Sequence, residues 1–162
     1  MTIVYSSLTG FTAEYAALLH KETGLPAVPL EDFTGGGEIL YLGWLRAGGI
    51  VGLKAAVKKA EVRGVCAVGM AITGSRLAET RSANGLPVEI PLFTLQGGYA
   101  PEKLRGLNRF LMRLVTGKLA KDLLAKENRI PAEEDLLELL QKGGSRVSAE
   151  QLGDVLDWLK NR

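Results

Sequence analysis

Cysteine and histidine each occur once in the 162 residues, as Cys66 and His20. That scarcity excludes an internal disulfide, a multi-histidine metal site and the Cys/His clusters that hold structural zinc. No Ser–His or Cys–His pairing is readable either, and no catalytic or metal-ligating residue is assigned. Charge of one sign is also scarce: 20 Lys and Arg stand against 18 Asp and Glu, a net +2. A nucleic-acid partner therefore has no overall electrostatic support. No stretch approaches the roughly 20 consecutive apolar residues of a membrane helix. The chain runs from Met1 straight into an apolar segment, which leaves no room for a secretory leader, and a cytoplasmic location is expected. Cys66 lies inside the run Val65–Val68; a buried core thiol is expected there. His20 stands near the end of a helical pattern, where a capping or surface role is the default.

Glycine, by contrast, is plentiful, and it clusters at the ends of apolar runs. Thr2–Ser6 reads as a buried strand and Thr12–Thr23 as a helix closed by Gly24. Residues 27–30 form a weak edge strand, because Pro29 cannot donate to a ladder. Residues 38–42 are a third strand, followed by a glycine-bounded loop over 43–49 and a helix from about 50 to 60. Residues 65–71 are the most apolar strand and hence central. Thr73-Gly74-Ser75 closes it, and a polar helix leads to Asn84-Gly85. A fifth strand, 88–95, is broken by Pro91. Five alternations of strand and helix predict an α/β fold whose parallel sheet is covered on both faces. Ligands of such sheets bind beyond the carboxyl ends of the strands, where the winding reverses, and the glycine-rich loops all fall at that edge.

The first of these loops carries the most specific chemistry. Ser7-Leu8-Thr9-Gly10-Phe11-Thr12 joins the first strand to the first helix. Unpaired N–H groups at a helix start attract anions, hydroxyls of Ser7, Thr9 and Thr12 add donors, and Gly10 permits close approach. The loop contains no Lys or Arg, so it suits a single phosphate monoester. The Gly-rich loop with lysine of nucleotide triphosphatases and the GxGxxG of dinucleotide folds are both missing. A well-capped strand–helix turn would have the same composition.

The pattern Ser/Thr-x-Thr-Gly-x-Thr after a first strand resembles the phosphate loop of flavodoxins. The resemblance covers about residues 2–115. It implies a doubly wound five-stranded parallel sheet, order 2-1-3-4-5, and flavin mononucleotide (FMN) as cofactor. Phe93-x-x-Gln96-Gly97-Gly98-Tyr99 followed by Pro-Glu-Lys-Leu is similar to a compact subgroup of flavodoxin-domain proteins that includes relatives of the menaquinone-dependent protoporphyrinogen dehydrogenase. That enzyme's long insertion has no evident counterpart here. Receiver domains of signalling proteins share the topology, but they need an acid pair after strand one and an Asp after strand three; Ser6-Ser7 and Gly43-Trp44 stand there instead.

FMN needs phosphate donors, flat cover for its ring and backbone amides at the ring's polar edge. Ser7, Leu8, Thr9, Gly10, Phe11 and Thr12 are the candidates for the first. Gly43, Trp44, Leu45, Arg46, Ala47 and Gly48, with Thr73, Gly74, Gln96, Gly97, Gly98 and Tyr99, are the candidates around the ring. Trp44 and Tyr99 would supply the cover, unless each simply anchors its loop. Where carrier flavodoxins usually have an aromatic ring after strand four, this chain has Thr73-Gly74-Ser75-Arg76. Carrier flavodoxins are also strongly acidic. Arg46 and Arg76 beside the flavin loops would raise its potential relative to theirs.

The expected function is electron transfer by an FMN-binding protein, with a redox protein or a small organic or quinone substrate as partner. The alternatives are an oxidoreductase related to the protoporphyrinogen dehydrogenases and an interaction module of this shape without FMN. The whole chain reads as one domain, with a core over about 2–115 and a helical C-terminal extension over 116–162. Residues 103–129 are rich in Lys and Arg, and Arg105, Arg109 and Arg113 form one helical stripe. Peripheral contact with an acidic surface is one expectation for this segment; packing of its apolar side on the sheet, with a solvated basic face, is the other.

Overall fold

A computed structural model describes all 162 residues. Five parallel strands build the sheet: β1 (Thr2–Ser6), β2 (Ala27–Pro29), β3 (Glu38–Arg46), β5 (Glu61–Gly69) and β6 (Leu92–Gln96). Their spatial order is β2-β1-β3-β5-β6. The two residues of β4 (Gly49–Ile50) fold back antiparallel on β3. With that hairpin set aside, the order is the expected 2-1-3-4-5.

Side-chain alternation divides the core in two. Ile3, Leu40, Leu42, Cys66, Val68 and Leu95 face one side, under α1 (Phe11–Thr23) and α6 (Gly153–Lys160). Val4, Ile39, Tyr41, Val65 and Ala67 face the other, against Leu53 and Ala56 of α2 (Leu53–Lys59). On that same side, α3 (Leu77–Asn84) reaches the β3–β4 hairpin. Both faces of the sheet are thus covered, as near-continuous apolar strands require. Gly24 ends α1 in a left-handed conformation, its N–H donating to the His20 carbonyl at 2.8 Å. Cys66 is fully buried, and burial pushes its thiol well above the ordinary range.

Several boundaries differ from expectation. β5 spans Glu61–Gly69 in place of the expected strand over 65–71, and the helix expected from about 50 begins at Leu53. The anticipated loop over 43–49 is mostly strand: β3 runs to Arg46, and Ala47 and Gly48, both at positive φ, make the two-residue turn. Such turns match the twist of an antiparallel pair. The Asn84 side chain holds this hairpin, accepting the Ile50 N–H at 2.7 Å and donating to the Gly48 carbonyl at 2.9 Å. At the fifth strand, pairing begins only after Pro91, whose carbonyl accepts the Val65 N–H. The largest correction concerns the tail. A two-stranded ribbon of β7 (Gly98–Tyr99) and β8 (Gly144–Ser145) closes the base of an excursion over residues 100–143. It contains α4 (Gly106–Ala125) and α5 (Pro131–Lys142). The chain then returns through a short 3-10 turn, Ala149–Leu152, into α6; Leu152 of the turn and Val155 of α6 are fully buried. The core therefore includes the C-terminus, and the appended part is the 100–143 excursion. The apolar side of α4 does not pack on the sheet.

Candidate functional site

The carboxyl ends of β1, β3, β5 and β6 form one edge, and the winding reverses between β1 and β3. The Ser7–Thr12 loop stands at that reversal. Ser6, just ahead of it, is fixed by Tyr41, whose hydroxyl lies 2.8 Å from Ser6 Oγ and 2.7 Å from the Val51 carbonyl. Burial pushes the Tyr41 phenol up to about 12 despite that bond to Ser6, so it stays a neutral strut.

Within the loop, Ser7 Oγ accepts the Gly10 N–H at 3.2 Å, and Gly10 adopts φ 104°. Glu14 is the first helical residue whose N–H reaches a backbone carbonyl, that of Gly10. The amides of Phe11, Thr12 and Ala13 thus donate to no protein acceptor. Three free N–H groups at the start of a 13-residue helix make an anion-binding end.

The structure adds a residue that the sequence reading did not include. Lys103, from a 3-10 turn over Pro101–Lys103, reaches across so that Nζ donates to the Thr9 carbonyl at 3.1 Å and lies 5.7 Å from the Phe11 ring centroid. The phosphate-type loop therefore does have a cation, supplied from 94 positions away along the chain. Lys103 Nζ and Glu14 Oε1 lie 3.7 and 3.8 Å from where a Gly10 side chain would begin, so one cation and one anion flank the same spot. Lys103 falls in the basic run 103–129, but its spacing alone gives no sign of the loop it meets.

The remaining candidates divide sharply. Gly43 lies within β3, where a Cβ would sit 2.6 Å from an Ile50 methyl; it serves packing. Trp44 is half-buried, and Arg46 lies 5.9 Å from its ring centroid. With Leu45, Ala47 and Gly48 these residues form the rim of the hairpin. Thr73 is engaged: its hydroxyl bonds the Gln151 side chain and accepts the Gln96 N–H at 2.9 Å. The Gly74 N–H donates to the Thr94 carbonyl. The free donors on this loop are instead the amides of Ala71 and Ile72, beside that of Thr73; none has a protein acceptor.

Gln96–Tyr99 differs most from the open loop expected. The Gly97 N–H donates to the Gly69 carbonyl, and its own carbonyl accepts the Arg146 N–H, both at 2.7 Å. Gly98 pairs with Ser145 and packs on the Phe11 ring. Tyr99 is buried, its hydroxyl 3.3 Å from Thr116 of α4. Gln96 is buried as well. Its carbonyl accepts the Tyr15 hydroxyl at 2.6 Å, and its amide donates to the Met70 carbonyl and to Asp135 of α5. Arg146 completes the link by donating to Asp135 at 2.9 Å. Burial alone would raise the Asp135 carboxyl; the bonds from Arg146 and Gln96 outweigh it and hold the group below its usual range. These four positions bind the excursion to the sheet rather than facing an open edge.

Fold and edge together define an open, doubly wound α/β protein with the flavodoxin-like strand order. Neither the protein-family models nor the curated proteins compared with the chain give a match.

Proposed function

We propose that this protein binds FMN noncovalently and takes part in electron transfer, with a redox protein or a small organic or quinone substrate as its partner. The observation that carries the reading is the Ser7–Thr12 loop: free amides at a helix start, at the reversal of the winding, with Lys103 beside them. A phosphate monoester matches that donor set in size and charge. Gly10 supports the fit, since a side chain there would enter the space between Lys103 and Glu14. The ring would lie between the Trp44–Gly48 hairpin and the loop 70–74, whose free amides suit its polar edge. Bound FMN would supply one- and two-electron redox chemistry; the residues named here bind and orient it. No side chain is assigned to proton transfer.

One observation favours a second reading, an interaction module of the same shape without flavin. Gly97, Gly98 and Tyr99 are committed to packing, so less of the edge is left for a ring than the sequence promises. The visible spectrum of the purified protein separates the two, followed by titration of its colourless fraction with FMN. Flavin absorption, or saturable binding at micromolar FMN, is expected. No bands and no binding would leave the loop a strand–helix turn whose free amides face water, with the module reading in its place.

A further inference from the structure

We infer that α4 docks this protein on anionic lipid membrane surfaces, lying in the plane of the interface. A solvent-facing helix normally turns its apolar stripe inward. Here, α4 does the reverse over its first half. Leu107, Phe110 and Leu114 are 71%, 59% and 58% exposed, and Leu111 and Val115 beside them are 49% and 59% exposed. At 100° per residue these five fall within one arc of about 140°. Thr116 and Leu123, the buried residues of α4, lie on the opposite side. A helix apolar on the face it shows to water needs something apolar to cover it.

Charge selects the cover. From Arg105 to Lys121 the chain carries Arg105, Arg109, Arg113, Lys118 and Lys121 and not one acid. None of these five cations makes a salt bridge within the chain. Pairing with the same face of a second copy would bring Lys118 and Lys121 of both copies together without a counter-charge. The acidic helix α5 of a second copy is a poor match too, since Glu133, Asp135 and Glu138 are already bonded to Lys126, Arg146 and Lys142. An anionic bilayer supplies both missing components at once: acyl chains for the leucines and phenylalanine, and phosphates for the unpaired cations. The helix is not long and apolar enough to cross a membrane, so it would lie on the surface. This docking is independent of FMN.

Co-sedimentation of the full chain with vesicles tests it, comparing pure phosphatidylcholine with vesicles holding about a third phosphatidylglycerol, at low and high salt. Binding to the anionic vesicles only, weakened by salt, is expected. Lys118→Gln with Lys121→Gln, the two cations within the apolar arc, should lower it by roughly fivefold per charge removed. Phe110→Gln with Leu114→Gln should abolish it, and because all four positions are exposed, both variants should keep the wild-type thermal midpoint. Absence of binding to either vesicle overturns the proposal, as does equal binding to neutral vesicles. A concentration-dependent dimer in solution that Phe110→Gln with Leu114→Gln dissociates would also overturn it, assigning the face to a second copy. None of these readouts involves flavin, so failure here leaves the FMN proposal standing.

Discussion

Lys103 and Glu14 carry the sharpest consequences for binding. Both side chains flank Gly10, one cationic and one anionic, and only the cation favours a phosphate at the helix start. Lys103→Gln should weaken FMN binding about tenfold, the worth of one charge-assisted hydrogen bond. Glu14→Gln should strengthen it about twofold to fivefold by removing a like charge. Riboflavin, which lacks the phosphate, should bind both variants as it binds wild type, and fluorescence titration of the two ligands checks each expectation. Gly98 makes a different prediction. A Cβ there would stand 2.7 Å from the Phe11 ring and press on the Gly144 carbonyl, so Gly98→Ala should destabilise by about 1–3 kcal/mol in a urea titration. The free amides at the start of α1 were legible because a glycine between a strand and a helical pattern marks a helix start, whose first amides lack intrahelical acceptors. The hydroxyls were not, since Ser7 Oγ accepts the Gly10 N–H and Thr12 is buried. The Lys103 contact was not, because nothing local to either segment encodes it.

At the scale of elements, the five parallel strands and the first three helices could be read from apolar runs and their spacing. What escaped was the identity of the helix that completes the fold. Leu107, Phe110, Leu111 and Leu114 have the spacing of a core helix, yet the core position goes to Val155 of α6 and to Leu152 of the turn that leads into it. Periodicity reports that a face is apolar and leaves open what the face meets. The Ala47-Gly48 hairpin escaped for a related reason: Ala47 stands where the usual Asn-Gly or Asp-Gly signal has Asn or Asp. The revised division of the chain can be tested directly. Tyr99 and Gly144 are antiparallel neighbours, so a short Gly-Ser turn can replace residues 100–143 without moving either end. That deletion variant should still fold cooperatively, keeping the far-ultraviolet signature of an α/β protein. Leu152→Ala in the full chain should instead cost about 2–5 kcal/mol, because Leu152 is wholly buried in the sheet's core. Were Leu152→Ala harmless and the deletion unfolded, the 100–143 excursion and not α6 would be the core element.

For the molecule as a whole, the question is how the excursion is held against the carboxyl edge of the sheet. Besides the β7–β8 ribbon, Asp135 of α5 fastens it, receiving Gln96 of β6 at 2.6 Å and Arg146 of the returning chain at 2.9 Å. Three separate parts of the chain meet on one carboxylate, which is held ionised below its ordinary range. Linkage then fixes the sign. A carboxyl with a depressed folded pKa adds stability that is complete above its unfolded value of about 3.9 and disappears as pH falls through the folded value. Asp135→Asn should therefore cost about 1 kcal/mol at pH 7, a modest figure because both partners are partly exposed. The difference from wild type should stay level from pH 7 down to about pH 5 and shrink steadily below pH 4. Urea unfolding of the two proteins across that range measures it, and the subtraction cancels every other carboxylate. A difference that persisted undiminished at pH 2 would show that Asp135 fastens the excursion by shape and neutral hydrogen bonds, with its charge irrelevant.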